Sequence, residues 1–382
     1  MTDLMNAFPP APEAQVTLAN WRTRPFNAWA FHHVREVVPS ADIPHDPGKV
    51  QPFLEGPQVT PDGLEDFLRD GEVDGLVVLH QGAIILERYG NGMGPRDPHI
   101  LMSVSKSLLG LLAGVLSEQG VLNLDAAAET YVPELTQTAF AGAAVQQLLD
   151  MRTGITFNED YLITEGPIVE YRKATNWNPL GPGEVPSDLR TFLLSLTETD
   201  EPHGGVFDYK SPCTDLLGWI IERATGKRYA DVFAQEIWSK IGAETPAYIT
   251  VDRLGAPRTA GGMCVTTRDL ARVGQVLVED GAGVIPKPWI EDIESNGDPA
   301  AWDGGAFAPD FPGMPMHYRS KWYVLRDRGP ILFCIGIHGQ NLLVDRKAGL
   351  VLARHSSLET PLDPASELKT IALFERIRDM VA

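Results

Sequence analysis

The stretch S103-V104-S105-K106-S107-L108-L109-G110-L111-L112-A113-G114-V115-L116 turns from polar to apolar within one helical turn, and its reading decides the fold. After Lys106 it carries no charge up to Leu116. The helix predicted over 103–119, stopped by Gly120, is therefore expected to be central and buried. Its opening is an S-x-x-K motif. A spacing of three sets the Ser103 hydroxyl and the Lys106 amine on one helical face, a turn apart. A serine hydroxyl attacks poorly at neutral pH unless a base removes its proton. Lysine serves as that base only where burial or neighbouring cations keep it partly neutral. The helix N-terminus also favours negative charge developing at Ser103. Taken alone, the same four residues describe a polar helix start capped by Ser103.

Two other segments narrow the reading. The first is Gly204-Gly205-Val206-Phe207-Asp208-Tyr209-Lys210-Ser211, directly ahead of the apolar run TDLLGWIIERATG. A tyrosine held in such a turn before a buried helix suits a proton shuttle; alone, Tyr209 reads as a packed aromatic. The second is Ile335-Gly336-Ile337-His338-Gly339-Gln340, inside a strand-like region near the C-terminus. Glycines there let backbone N–H groups face a bound carbonyl. Alone, this segment reads as a tight hairpin.

Together and in this order, the three motifs resemble the penicillin-recognising serine hydrolases, whose signature set opens with S-x-x-K. The likeness is greater to the class C-like branch, where the second motif is Tyr-x-Asn, and greatest to the 6-aminohexanoate-dimer hydrolase and carboxylesterase group. Tyr131-Val132-Pro133-Glu134-Leu135, the segment 148–154 (LLDMRTG), S-P-C-T-D-L-L-G-W after Tyr209 and G-I-H-G-Q at 336–340 carry it. The resemblance covers about residues 70–380. It implies a mixed α/β fold, an antiparallel sheet flanked by helices with an all-helical domain inserted. It implies Ser103 as acylated nucleophile, Lys106 as general base, and Tyr209 as the group passing a proton to the leaving amine or alkoxide. The backbone N–H groups of Ser103 and Ile337 would form the oxyanion hole. Tyr161, in Phe157-Asn158-Glu159-Asp160-Tyr161, matches a tyrosine that closes over substrate, and His338 is a candidate pocket residue.

Two departures bear on substrate. Ser211 replaces the Asn of Tyr-x-Asn, and aligning Gly336 with the K-T-G glycine puts Cys334 where the penicillin-binding lysine would stand. Neither touches the acylation chemistry. The expectation is hydrolysis of small esters or linear amides, without cofactor or metal. β-Lactamase or D-aminopeptidase activity, or a silent penicillin-binding-like ligand sensor, stand as alternatives.

Outward from the motifs, LVVL and AIILERY read as a hairpin about His80-Gln81-Gly82. Helices are expected near 144–150, 188–196, 214–225, 229–241 and 267–280, and 157–186 is a candidate lid. The runs YRSKWYVL, PILFCIGI, QNLLVDR and GLVLARHS read as strands before a final helix. Strands at both ends of the chain imply one sheet built from both, with a helical block between. The expected division is an extended arm over 1–70, a sheet domain from 71–102 and 305–382, and a mostly helical domain over 103–304 with the catalytic helix at the interface.

The 382 residues carry a formal charge of −19, which disfavours nucleic acid and anionic membranes and makes cationic or neutral substrates easier to attract than anionic ones. Three scattered cysteines fit a reducing, cytoplasmic setting and offer no zinc spacing. His32, His33, His45 and His203 stand outside any metal-ligand pattern, and no G-x-S-x-G elbow is present. Oligomeric state is not readable from the sequence.

Overall fold

The hairpin around Gln81-Gly82 organises the larger of two sheets. In the computed structural model, which describes residues 4–327 and 329–382, both turn residues have positive φ (50° and 79°), the conformation a two-residue hairpin needs. The strands in chain order are β1 (Ser40–Ile43), β2 (Leu54–Glu55), β3 (Val73–His80), β4 (Ala83–Tyr89), β5 (His99–Ile100), β6 (Ala247–Thr250), β7 (Met263–Val265), β8 (Met316–Arg319), β9 (Trp322–Leu325), β10 (Ile331–Gly336), β11 (Gln340–Asp345) and β12 (Leu350–Ser356). The larger sheet runs β2-β4-β3-β12-β11-β10-β9-β8. All its pairings are antiparallel except β2 with β4. Strand β12 joins β3, with Leu350 opposite His80 and Arg354 opposite Leu76, so the two ends of the chain share one sheet as expected.

The S-x-x-K helix, Val104–Glu118, is buried from Val104 to Leu116, as its lack of charge demands. It packs between β10 and β11 on one side and the Ser211–Thr225 helix on the other. The Thr267–Val278 helix lies against β12, β11 and β3, although it falls within the stretch read as the helical block. The C-terminal helix spans Pro364–Val381. The helix expected over 229–241 is α-helical only for Tyr229–Phe233 and continues as a π turn, Ala234–Trp238.

A second, four-stranded sheet, β1-β6-β7-β5, was not foreseen. Its strands are two to four residues long, too short for a hydrophobic period to show. It matters because β5 leads straight into Ser103. The N-terminal arm closes over this sheet. Trp21, Phe31 and Val34 pack with Met102, Trp177, Tyr248 and Ile337 in a cluster separate from the main core. The Trp21 indole N–H donates to the Trp177 carbonyl at 3.1 Å. Among the described residues no helix is long and apolar enough to cross a membrane.

Candidate active site

Ser103 stands at the N-cap of its helix, immediately after Met102, whose φ of 45° is unusual for a residue with a side chain. Burial of Met102 against the arm and the second sheet holds that turn in place. Strand β7 braces it further: Leu101 N–H donates to Met263 O at 2.8 Å, and Met263 N–H donates to Ser105 Oγ at 3.1 Å.

Lys106 Nζ lies 2.8 Å from Ser103 Oγ and donates to the Ala260 carbonyl at 2.7 Å. The side chain is buried. Burial pushes its pKa down from 10.5 to about 7, with Glu159 opposing the shift and Arg258 adding to it. A neutral amine so held keeps an N–H on Ala260 and can turn its lone pair to the serine hydroxyl. The Tyr209 ring centroid is 4.8 Å from the same nitrogen, and the ring stacks on Phe307 at 5.3 Å. Burial, then the Glu159 charge, raise the Tyr209 pKa well above its usual value, while contact with the Ser103 hydroxyl pulls it the other way. Tyr209 is thus a neutral O–H beside the serine.

Gly336 ends β10 against the serine backbone. A Cβ there would stand 2.6 Å from the Leu101 carbonyl and 3.1 Å from Ser103 N. Among the described residues the N–H groups of Ser103 and Ile337 have no main-chain acceptor, whereas His338 N–H donates to Pro361 O at 2.8 Å. Gly336 thus brings the Ile337 turn close to the Ser103 backbone, and both N–H groups are left without a main-chain partner among the described residues. His338 is buried, its Nδ1 2.7 Å from the Leu358 carbonyl, and burial lowers its pKa to about 4. It keeps the turn in shape and lines a neighbouring cavity.

Tyr161 lines two hollows. One, about 600 Å³, is lined by Ile337, His338, Trp21 and Arg172; the other, about 360 Å³, by Tyr209, Phe157, Phe207 and Phe307. The Tyr161 hydroxyl donates to Glu159 at 2.9 Å. The same carboxylate accepts the Ser211 N–H and the Ser211 hydroxyl, so the residue in the Asn position of Tyr-x-Asn is already engaged.

Glu159 was not singled out from the sequence, nor was the buried group behind Lys106. Asp215 pairs with Arg258 and the Tyr171 hydroxyl, and its Oδ1 accepts from Ala260 N–H at 2.7 Å. Burial works against the Arg258 charge, but Asp215 and Tyr171 hold its pKa above the usual value. The only sequence signal for Glu159 was its place two residues before Tyr161.

Residues 64–375 match the Beta-lactamase family. The chain belongs to that family. It is a hydrolase of the β-lactamase fold. It is 34% identical over 362 residues to 6-aminohexanoate-dimer hydrolase of Paenarthrobacter ureafaciens, covering 93% of this chain and 91% of that one. A solved structure bearing the name 6-aminohexanoate-dimer hydrolase, from Bacillus anthracis, superposes with a TM-score of 0.87 at 28% identity, over 97% of this chain and 99% of the other. EstCE1, a hydrolase with promiscuous acyltransferase activity, matches at TM-score 0.64 over 83% and 96% of the two chains; at 17% identity this likeness shows the fold alone. The β-lactamase-family assignment and the antiparallel sheet flanked by helices agree with what the motifs imply.

Proposed function

We propose that this chain hydrolyses small esters or linear amides through an acyl-enzyme on Ser103. The observation that carries the reading is the buried Lys106 amine, 2.8 Å from Ser103 Oγ, with a pKa near 7. Lys106 takes the hydroxyl proton as Ser103 Oγ bonds to the substrate carbonyl carbon. The oxygen that gains the negative charge rests on the Ser103 and Ile337 N–H groups, each worth about 3 kcal/mol to the transition state by typical figures. As the intermediate collapses, the C–N or C–O bond breaks. The leaving amine or alkoxide takes its proton from Tyr209, which is resupplied by Lys106. Water then repeats the sequence, with Lys106 as base, and frees the acid. Tyr161 and His338 line the substrate cavity.

The relative at 34% identity is named for 6-aminohexanoate dimer, which supports linear amides as one substrate class. A β-lactam preference has less support: Cys334 is buried in β10 and Ser211 is bonded to Glu159, so neither supplies the usual β-lactam contact. Ser103→Ala should abolish p-nitrophenyl ester hydrolysis and labelling by a fluorophosphonate while leaving the unfolding transition unchanged. Undiminished turnover in that variant discards the assignment, and a folded wild-type protein that takes no label is instead a silent ligand binder.

A further inference from the structure

We propose that the hollow beside the Ile337 turn binds a carboxylate at the far end of the substrate's acyl group, so that this chain favours half-esters or half-amides of short dicarboxylic acids. The inference rests on the reading of Ser103 as the acylated residue and adds the class of acyl group.

At about 600 Å³ the hollow has the size of a small-molecule site. Its walls come from the arm (Trp21, Arg22, Arg24), from the 161–178 segment (Tyr161, Arg172, Asn178) and from the turn holding Ile337 and His338. Three guanidinium groups face it. Arg24 is neutralised by Glu72 at 2.5 Å. Among the described residues, Arg22 and Arg172 form no such ion pair. Arg22 donates to the Asn178 side-chain oxygen and, at 3.5 Å, to Trp177 O. Arg172 donates to the carbonyls of Tyr161 at 3.0 Å and Ile163 at 3.5 Å. All of these acceptors are uncharged. Each guanidinium has five N–H donors, so both retain unused ones. Among the described residues the buried Arg22 Nε has no hydrogen-bond partner.

Two like charges lining one hollow, with no carboxylate in ion-pair range of either among the described residues, oppose one another. Burial, followed by repulsion from Arg172 and Arg258, brings the Arg22 pKa down to about 9. Burial also lowers that of Arg172, while Glu159 and Asp160 act on it in the opposite sense from beyond ion-pair range. Among the described residues the one carboxylate on the wall, Glu359, is exposed to solvent. A planar carboxylate fits the fork of a guanidinium and would supply the missing counter-charge. The net charge of −19 does not prevent this, because charges beyond roughly 8–10 Å are screened at physiological salt.

On this proposal the two hollows, both lined by Tyr161, take the two arms of the substrate. Tyr209, the proposed donor to the leaving group, lines the smaller one, where Phe157, Phe207 and Phe307 stand beside Glu159, Asp160 and Asp208; that wall suits a neutral or cationic leaving group and disfavours an anionic one. Ile337, the proposed oxyanion donor, lines the arginine-bearing one, leaving that side to the acyl chain.

The matched pair mono-p-nitrophenyl adipate and p-nitrophenyl hexanoate differs in the acyl arm only at its end, carboxylate against methyl. The wild-type kcat/KM should favour the adipate ester by at least about tenfold, the scale of one charge-assisted contact. Arg22→Gln and Arg172→Gln should each bring that ratio towards one, with Arg172→Lys keeping part of it. A wild-type ratio of one or below overturns the proposal. So does an equal loss on both esters in the glutamine variants, which would make the arginines mere braces of the loop. Calorimetry of adipate with the Ser103→Ala protein separates the two readings. Binding that Arg172→Gln removes, together with no turnover of either ester by the wild-type protein, would sink the hydrolytic reading and keep the site. No adipate binding sinks the site.

Discussion

Ala260 joins Asp215 to the reactive lysine: Asp215 Oδ1 accepts the Ala260 N–H at 2.7 Å, and the carbonyl of the same alanine accepts Lys106 Nζ at 2.7 Å. Asp215 thus acts on Lys106 through one residue of main chain, and its other oxygen balances the buried Arg258 charge. Asp215→Ala removes both supports. Leaving Arg258 buried and unpaired should cost about 3–5 kcal/mol, read from denaturant unfolding. Ester turnover should fall as the carbonyl that anchors Lys106 loses its tether. Asp215→Asn keeps an oxygen for the Ala260 N–H, so it should lose stability while retaining much more of kcat than the alanine variant. Equal kcat losses in both would contradict the positioning role.

The acid limb of kcat/KM should lie near pH 7. Lys106 accepts a proton only when neutral, and burial brings its pKa to about 7, so activity rises as pH increases through that value. The Glu159 carboxylate opposes the shift by favouring the charged amine. Glu159→Gln should therefore move the acid limb to lower pH. The same substitution weakens the grip on Tyr161 and Ser211, so KM should change as well. An acid limb displaced upward would contradict the electrostatic account.

Lys321 gives a matching test in stability. It is buried, and burial lowers its pKa from 10.5 to about 7. Between those values the unfolded chain carries a proton on this amine that the folded one does not, so stability rises with pH across the window. The contribution is complete above the unfolded value and is lost as pH falls towards 7. Replacing the amine in Lys321→Met should flatten the dependence of unfolding free energy on pH between about 7 and 10, with part of the slope surviving through Lys106. An unaltered slope would show that Lys321 titrates normally.

What spacing alone could place was local, whereas Tyr209 and Ile337 were named through the resemblance of their motifs. Ser103 and Lys106 are three residues apart on one helix, and the Gln81-Gly82 turn sits between its own two strands, so spacing alone places them. The run YRSKWYVL misled as a single strand. Ser320 and Lys321 adopt φ of 47° and 72°, left-handed values that residues with side chains seldom take, and the run folds into the hairpin of β8 and β9. The supports of the site were illegible because they join distant segments: Ala260 reaches Lys106 across 154 residues, and Ser211 reaches Glu159 across 52. The arm's contribution was likewise hidden. Its Pro and aromatic content suggested an extended wrap, but not that Trp21 would pack in one cluster with Met102 and Ile337.

Gly336 offers the sharpest test of how strand and serine are fitted together. Its requirement is space, since a Cβ would meet the Leu101 carbonyl at 2.6 Å and the Ser103 nitrogen at 3.1 Å. Neither atom can retreat easily. Leu101 is bonded through its N–H to Met263, and its carbonyl accepts from Val104 at 3.1 Å inside a buried helix start. In Gly336→Ala the end of β10 must therefore move away from Ser103, carrying the Ile337 N–H with it. The main loss should be in the transition state: misplacing one oxyanion donor lowers kcat by about a hundredfold or more, whereas overpacking at the strand end costs about 1–3 kcal/mol of stability. Steady-state kinetics with p-nitrophenyl acetate beside thermal unfolding would separate the two. A variant that kept full kcat would show that the Ile337 N–H takes no part in holding the charge.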